Sequence, residues 1–208
     1  MELPCNSSRI INIGKLFRAY SLAGSARKQS LNKKLARLAA TMAENAGADI
    51  TLIDLNDYEL PIYNGDLEVE HGLPENVRKL KQLFIAHDGF FIASPEYNSS
   101  FSPLLKNTID WMSRAHEENE TPLSAYKGKV AALGAISPGA LGGLRGLVSL
   151  RMLLGNIGVT VVPPQVAIGS GFQAFNPEGE LSDERQSGML KATIDQLLRT
   201  TDRLKVDD

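Results

Sequence analysis

Hydroxyl, amide and basic side chains are concentrated in one short segment near the start of the sequence, residues 24–32. The segment reads Gly24-Ser25-Ala26-Arg27-Lys28-Gln29-Ser30-Leu31-Asn32. If a helix begins here, its first N–H groups and the positive end of its dipole attract a phosphate, which an arginine can bind through two hydrogen bonds. The segment lacks the G-x-x-x-x-G-K-[ST] and G-x-G-x-x-G nucleotide patterns. The alternative is that Ser30 only caps the helix and Arg27 is a solvated surface charge.

Two later segments have side chains suited to a flat heterocyclic ligand. In Ser94-Pro95-Glu96-Tyr97-Asn98-Ser99-Ser100-Phe101, polar groups can hydrogen-bond the edge of a heterocycle while Tyr97 offers a ring face. In Ser137-Pro138-Gly139-Ala140-Leu141-Gly142-Gly143, small residues allow a ligand to approach the backbone closely. Taken singly, residues 94–101 also fit an ordinary polar turn with a half-buried tyrosine, and residues 137–143 fit a common glycine-rich turn.

The elements that must position these segments alternate regularly along the chain, because short apolar runs predict strands and apolar residues at helical spacing predict helices. The predicted strands cover residues 17–22, 50–53, 89–93, 129–136 and 160–162, the last ended by Pro163-Pro164. The predicted helices cover residues 31–46 and 75–86, a segment opening at Ser102-Pro103, residues 144–155, and a C-terminal segment capped by Ser182. Residues 56–74 are predicted to form a long loop.

Strands separated by helices require crossover connections, which predict an α/β fold with a parallel sheet. Right-handed crossovers make this a doubly wound, five-stranded sheet with helices on both faces. Ligands bind such sheets beyond the carboxyl ends of the strands, at a topological switch point. The three polar segments follow the first, third and fourth predicted strands, so all three are expected at the ligand-binding edge.

Composition and charge exclude several classes of protein. The chain has 208 residues, 43% of them apolar, which is enough for one compact domain with a core. Its net charge of −2 argues against nonspecific nucleic-acid binding. The single cysteine, Cys5, excludes an intramolecular disulfide framework and is typical of a reducing compartment. No apolar run approaches the roughly 18 residues of a membrane span, so a cytoplasmic protein without membrane contact is expected.

Taken together, the three segments resemble the NADPH-dependent FMN reductase family, the flavodoxin-like group that includes quinone, chromate and azo-dye reductases. The family pattern is G-S-x-R-x-x-S-x-N, then P-E-Y-N followed by L-K-N-x-I-D-W, then S-x-G-x-x-G-G. The matching residues are Gly24-Ser25, Arg27, Ser30 and Asn32; Pro95-Glu96-Tyr97-Asn98, Leu105-Lys106-Asn107 and Ile109-Asp110-Trp111; and Ser137, Gly139 and Gly142-Gly143. The resemblance extends over roughly residues 20–195, and its central block is the most specific part.

The resemblance implies a flavodoxin-like fold with FMN as cofactor and a particular set of binding residues. The FMN phosphate would be held by Ser25, Arg27, Ser30 and Asn32, with backbone contacts from Gln29 and Leu31. The isoalloxazine ring would be bordered by Pro95, Glu96, Tyr97, Asn98 and Ser99, with Ser137 and Gly139 at its edge. The remaining motif residues, Lys106, Asn107, Asp110 and Trp111, are interpreted as packing and loop support. No metal ligand and no catalytic acid or base is predicted.

The resemblance also implies an activity: NADPH or NADH, as co-substrate, passes hydride to the flavin, which then reduces a small acceptor such as a quinone, flavin, azo compound or metal oxyanion. Homodimers or homotetramers are expected, covering the helix of Trp111 and the 56–74 loop. Two rivals remain open: an electron carrier of the flavodoxin type, and a flavin-binding protein without turnover. Carriers are typically strongly acidic for docking, and a net charge of −2 provides little steering.

Several features depart from the family pattern or carry no assigned role. Ser102 stands where the family usually has proline, with Pro103 and Leu104 next, which suggests a bulkier cleft wall. The first strand is unusually polar for a central parallel strand. Residues 1–15 precede the usual start and are interpreted as an extension without regular structure, ahead of a single domain over residues 16–208. The remaining expectations are surface positions for His71, His87 and His116, a solvated turn for Asp66, and no function for Cys5.

Overall fold

The computed structural model of the chain describes residues 17–115 and 117–205. The predicted extension over residues 1–15, together with Cys5 and His116, lies outside the described residues. Within them, no helix is both long enough and apolar enough to cross a membrane.

Strands and helices alternate as the hydrophobic pattern predicts. The strands are β1 (Arg18–Ala23), β2 (Asp49–Ile53), β3 (Gly89–Ala93), β4 (Glu96–Tyr97), β5 (Ser100–Phe101), β6 (Val130–Ile136) and β7 (Thr160–Ile168). The helices are α1 (Leu31–Asn45), α2 (Gly65–His71), α3 (Glu75–Ile85), α4 (Pro103–Met112), α5 (Leu144–Asn156) and α6 (Glu184–Leu204), with a short 3-10 helix at Leu55–Asp57.

Five strands form one parallel sheet in the order β2-β1-β3-β6-β7. This order confirms the predicted doubly wound, flavodoxin-like α/β fold. From β1 the chain first moves outward to β2 and then returns to place β3 on the other side of β1. The carboxyl ends of β1 and β3 therefore form the switch point at which this fold class binds its ligand.

Helices cover both faces of the sheet and bury two separate apolar clusters. On one face, α1 and α6 contribute Leu35, Leu190 and Ile194 to a cluster with alternate strand residues such as Phe91 and Val166. The opposite cluster takes its apolar side chains from α3, α4 and α5, chiefly Val77, Leu80, Leu105, Ile109, Trp111, Leu147 and Leu150. Because successive strand residues point to opposite faces, each central strand supplies both clusters, which explains its nearly continuous apolar sequence.

The polar first strand is accommodated in the centre of the sheet by two local arrangements. The buried Ser21 hydroxyl donates a hydrogen bond of 2.8 Å to the carbonyl of Ala36 in α1, so its burial leaves no unsatisfied donor. The ring of Tyr20 stacks between Phe84 and Phe90, with centroid separations of 4.4 and 5.0 Å. The Tyr20 hydroxyl is buried without a hydrogen-bond partner among the described residues, so of these two polar groups only that of Ser21 is satisfied.

The fifth sheet strand is longer than predicted. Pro163 and Pro164 were expected to end it, yet β7 continues through them to Ile168. Since β7 is an edge strand, one side of its backbone needs no partner, and its pairing with β6 shifts register between Ala131 and Leu133, opposite the prolines. Proline is tolerated at such positions because the missing N–H interrupts no ladder.

Three smaller predictions are wrong. The segment 56–74 is not a continuous loop, because Asn64 caps the short helix α2 and places the exposed Asp66 in its first turn. The C-terminal helix begins one residue later than expected, with Asp183 and not Ser182 as its N-cap. His87 is only 7% exposed, and its ring nitrogens bond the Leu83 carbonyl and the Thr51 hydroxyl, so it is not a surface residue.

Candidate functional site

The three polar segments are brought into contact at the carboxyl edge of the sheet. A Cβ placed on Gly24 would lie 3.3 Å from Pro95 Cδ, so the segments after β1 and β3 approach each other tightly. A Cβ on Gly143 would lie 3.8 Å from both Glu96 Cβ and the Ser94 carbonyl oxygen. Glycine is required at Gly143 because its φ is +91° and the added Cβ would meet Ala135 at 2.7 Å.

The first segment wraps the amino-terminal end of α1 and leaves its arginine uncommitted. Ser25 is buried, and its hydroxyl accepts a hydrogen bond of 3.4 Å from the Arg27 N–H. The Arg27 side chain is exposed and has no hydrogen-bond or ion-pair partner in the part of the chain that the structure describes. From outside the segment, Asn56 Nδ2 donates to the Ala26 carbonyl at 2.8 Å, which holds this turn against the 3-10 helix. A free guanidinium beside a helix amino terminus is suited to an oxyanion.

Two residues of the predicted phosphate set have structural partners. The Ser30 hydroxyl accepts from the Lys33 N–H at 3.3 Å and is the N-cap of α1, as the alternative interpretation proposed. The buried Asn32 amide donates to the Ile136 carbonyl at 3.0 Å and accepts from the Ile136 N–H at 3.1 Å. Asn32 therefore connects the start of α1 to the end of β6, and both the oxygen and the nitrogen of its amide are hydrogen-bonded to Ile136.

The second segment forms a hairpin that sequence reasoning missed. Strands β4 and β5 pair around Asn98 and Ser99, whose φ values of +51° and +65° lie in the left-handed region. Two successive left-handed residues are typical of a type I′ hairpin, where asparagine is the best-tolerated residue after glycine. The hairpin leaves the Tyr97 side chain 47% exposed, so a ring face remains available at this edge of the site.

The hairpin is anchored through the carboxylate of Glu96. Oε1 accepts from Arg145 Nε at 2.8 Å and forms an ion pair with Nη2 at 2.6 Å, and Oε2 accepts from the Gly146 N–H at 3.2 Å. Burial acts to raise the pKa of Glu96, but the hydrogen bonds from Arg145 and Gly146 outweigh it and hold the pKa below its usual value. Glu96 thus remains ionised at neutral pH and joins the hairpin to the first turn of α5.

The third segment is fixed by the strand next to it. The Ser137 N–H donates to the Ile168 carbonyl, and the Ser137 carbonyl accepts from the Gly171 N–H at 2.9 Å. Gly142 has φ +62°, and a Cβ there would lie 2.5 Å from the Ile168 nitrogen. Gly139 has no positive φ, and its nearest neighbour would be the Ser137 hydroxyl at 3.8 Å. Gly142 therefore shapes this segment, whereas Gly139 leaves space beside it.

Two residues near the site were not found by sequence reasoning. Arg145 follows the glycine-rich segment after Leu144, but nothing in its local sequence identifies Glu96 as its partner. Phe172 is 71% exposed and follows Gly171, in a loop that packs against Ser137. It is an apolar ring beside the site, and only its place after the fifth strand could have indicated it.

The interpretation of the L-K-N-x-I-D-W residues as packing and loop support agrees with their contacts. Asn107 accepts from the Tyr63 N–H at 2.8 Å and donates to the Pro61 carbonyl, to which the buried Trp111 Nε1 also donates. Ser102, where the family usually has proline, caps α4 and donates to the Gly24 carbonyl at 2.6 Å. Ser102 therefore links the start of α4 to the segment 24–32 through its hydrogen bond to Gly24.

This fold, with three polar segments meeting at the switch point of its sheet, defines a flavodoxin-like protein. The sequence profile of the NADPH-dependent FMN reductase family matches residues 18–173 of this chain. The chain belongs to the NADPH-dependent FMN reductase family, and with it to the oxidoreductases.

Individual relatives agree with this membership. A quinone reductase of Pseudomonas putida is 33% identical over 181 residues, covering 85% of this chain and 92% of that protein. An NADPH:quinone oxidoreductase of Arabidopsis thaliana is also 33% identical, covering 93% and 96%. Among solved structures, the flavoenzyme NAD(P)H:(acceptor) oxidoreductase FerB of Paracoccus denitrificans superimposes with a TM-score of 0.77 at 29% identity, covering 92% of this chain and all of that one.

Proposed function

We propose that this chain binds FMN at the carboxyl edge of its sheet and uses it to transfer hydride from NAD(P)H to a small acceptor of the quinone type. The observation that carries the proposal is the uncommitted Arg27 guanidinium at the amino terminus of α1, on the same edge as the exposed ring of Tyr97. The family match and the similarity to quinone reductases support the same activity.

The residues present fit FMN, although the side chains of Ser30, Asn32 and Glu96 have partners within the fold. Arg27, the Ser25 hydroxyl and the first N–H groups of α1 are suited to its terminal phosphate. The segments at Pro95–Ser99 and Ser137–Gly139 are suited to the ring, because both present backbone and small polar groups on the edge where Tyr97 is exposed. Asn32 is assigned a different role from the predicted one, since its amide already bonds Ile136 and can only position the turn.

In this proposal the protein binds and orients, and no side chain moves a proton. FMN, when bound, supplies the hydride chemistry, as cofactors generally do. Glu96, held by Arg145 and Gly146, keeps the Tyr97 hairpin in place. NAD(P)H and the acceptor would use one open cleft in turn, which agrees with the lack of a dinucleotide fingerprint in the sequence.

We expect the purified protein to be yellow, with one FMN per chain that is released as FMN on denaturation. The reason is a turn suited to one terminal phosphate, without an adenosine-binding pattern. Absorbance spectroscopy and chromatography of the released flavin measure this. Stoichiometric FAD, or no flavin after reconstitution with FMN, would contradict the cofactor assignment.

The activity itself is tested by anaerobic stopped-flow absorbance of the FMN-loaded protein. NADPH should bleach the flavin band and a quinone should restore it. Each step should be at least as fast as the steady-state turnover of the enzyme. An electron carrier would be reduced by a protein partner far faster than by NADPH, and a flavin-binding protein without turnover would respond to neither reagent. Either result would overturn the proposed activity while leaving FMN binding intact.

We also propose that the chain assembles as a homo-oligomer through the α4–α5 side. Trp111 is buried within the chain, so it is not itself the contact; the support is an exposed apolar stripe on α5. Leu144, Val148 and Met152 recur every four residues on one side of that helix, with Val148 63% and Met152 66% exposed. The adjoining groove between α4 and α5 adds Phe101, Ile109, Leu153 and Ile157. An apolar surface of this kind favours an interface.

A charge in the centre of the stripe should prevent assembly. Val148→Asp is expected to convert a dimer or tetramer into monomers at micromolar concentration, measured by light scattering, because burying an unpaired carboxylate is costly. Met189→Asp is the matched control, since Met189 is a partly exposed apolar residue on α6, across the sheet. A monomeric wild-type protein, or a Val148→Asp variant that assembles like wild type, would contradict the proposal.

We also propose that the protein acts in the cytoplasm. The reducing cytoplasm is consistent with a sequence that contains one cysteine, Cys5. Fractionation of the cells that produce the protein tests this assignment.

A further inference from the structure

A second cleft lies at the amino-terminal edge of the sheet, opposite the candidate flavin site. It is bordered by the starts of β3 and β6 and by the end of α6. Its lining includes Ile85, His87, Asp88, Lys127, Lys129, Thr201 and Lys205. Three lysines and one aspartate give the cleft a positive charge, although the whole chain is slightly acidic.

Lys129 is the unusual residue of this cleft, because its side chain is largely buried. The residue is 8% exposed, and its Nζ donates to the carbonyls of Ile85, at 3.2 Å, and His87, at the carboxyl end of α3. Burial lowers the pKa of Lys129 to about 8, against a smaller opposing effect of the Asp88 charge. A measurable fraction of this amine is therefore neutral at physiological pH.

The two carbonyl contacts have a geometric consequence for the neutral amine. A neutral amine has two N–H donors and one lone pair. When both donors point to the carbonyls of Ile85 and His87, the lone pair must point away from them. Lys129 is also one of the residues that line the cleft.

The other charged groups around Lys129 favour an anionic ligand. Asp88 is already paired with Lys205 Nζ at 2.9 Å and accepts from the Arg18 N–H at 3.2 Å. Lys127 is exposed and has no ion-pair partner among the described residues. His87 is committed through both ring nitrogens to Leu83 and Thr51, so it adds no free donor. Lys127 can therefore attract an anion, while Lys205 neutralises Asp88.

We propose that this cleft is a covalent capture site, in which the Lys129 amine forms an imine with aldehydes or ketones that carry a phosphate or carboxylate group. The amine nitrogen adds to the carbonyl carbon, the resulting carbinolamine loses water, and a C=N bond replaces the C=O bond. No oxidant or reductant is consumed. Lys127 binds the anionic group. The site is independent of the flavin and of the proposed function.

The test uses pyridoxal 5′-phosphate as the probe, because it combines an aldehyde with a phosphate. The full-length protein is treated briefly at pH 7.5, and borohydride then adds hydride to the imine carbon and makes the bond permanent. Peptide mass spectrometry compares labelling of Lys129 with that of Lys191, an exposed lysine paired with Asp195 in α6. Lys129 should be labelled at least about tenfold faster, since an ordinary lysine, with a pKa near 10.4, is almost wholly protonated.

Two further measurements separate the parts of the proposal. The labelling rate of Lys129 should reach half its maximum near pH 8. Pyridoxal without the phosphate should label Lys129 several-fold more slowly, and Lys127→Gln should remove most of that difference. Equal rates for Lys129 and Lys191 would overturn the capture site, and equal rates for the two probes would overturn the anion contact. The wild-type comparison requires no variant to fold.

Discussion

Arg27→Ala is expected to weaken FMN binding by about 10- to 100-fold. A guanidinium can form two parallel hydrogen bonds to a phosphate, and bonds to charged groups contribute about 1.5–3 kcal/mol each. Since 1.4 kcal/mol corresponds to a factor of ten, the loss of one or both gives this range. Quenching of flavin fluorescence during titration of the apoprotein measures the dissociation constant.

The structure makes this variant a clean probe of ligand binding. The Arg27 side chain is exposed and has no partner among residues 17–115 and 117–205, so its removal should leave the melting temperature of the apoprotein unchanged. Riboflavin, which lacks the phosphate, should bind wild type and variant almost equally. Lys28→Ala is the matched control, because a lysine supplies long-range attraction without the forked geometry. FMN binding equal to wild type would mean that Arg27 is only a surface charge.

Gly142→Ala is expected to destabilise the protein strongly and to reduce FMN retention with it. The added Cβ would lie 2.5 Å from the Ile168 nitrogen and 2.6 Å from its carbonyl carbon, and both are backbone atoms that cannot rotate away. The backbone at Gly142 is also left-handed, which costs about 1–2 kcal/mol for a residue with a Cβ. Overpacking adds about 1–3 kcal/mol, so the free energy of unfolding should fall by about 3 kcal/mol in total. For a chain of this size, that loss lowers the melting temperature by roughly 6–12 °C.

Gly139→Ala is the control, because it adds the same methyl group to the same segment. A Cβ there meets only the Ser137 hydroxyl, at 3.8 Å, and the φ of Gly139 is not positive. Its melting temperature should therefore stay within about 2 °C of wild type. Differential scanning calorimetry of the two apoproteins compares them. Similar melting temperatures for both variants would show that Gly142 does not shape the third segment as the structure indicates.

Much of the fold follows from local sequence pattern. The alternation of apolar strands with amphipathic helices was sufficient for the doubly wound sheet, because a buried parallel strand such as Gly89–Ala93 differs visibly from the periodic pattern of α1. The order of the polar segments was sufficient to place them on one edge, since all three follow strands. Turn and cap residues such as Ser102-Pro103 also agree with their local roles.

The role of each site residue could not be derived in the same way. Asn32 and Arg27 both belong to the predicted phosphate-binding set, yet the Asn32 amide is committed to Ile136, 104 positions away, whereas Arg27 remains free. Glu96 is predicted to border the ring, and the structure adds that its carboxylate binds Arg145 and Gly146. A local segment of sequence does not show which distant group will form a hydrogen bond or an ion pair with a given side chain.

The sequence by itself determined the class of fold, the edge that carries the candidate site and the types of side chain available there, because these depend on periodicity and on strand direction. Only the tertiary structure decided that β7 passes through Pro163-Pro164, since a proline is tolerated or not according to whether its strand lies at an edge. It also decided that Lys129 and His87 are buried, because their burial depends on the helices packed around the opposite edge. Long-range packing determines the hydrogen-bond partners and the solvation of each polar group, and a local pattern contains neither.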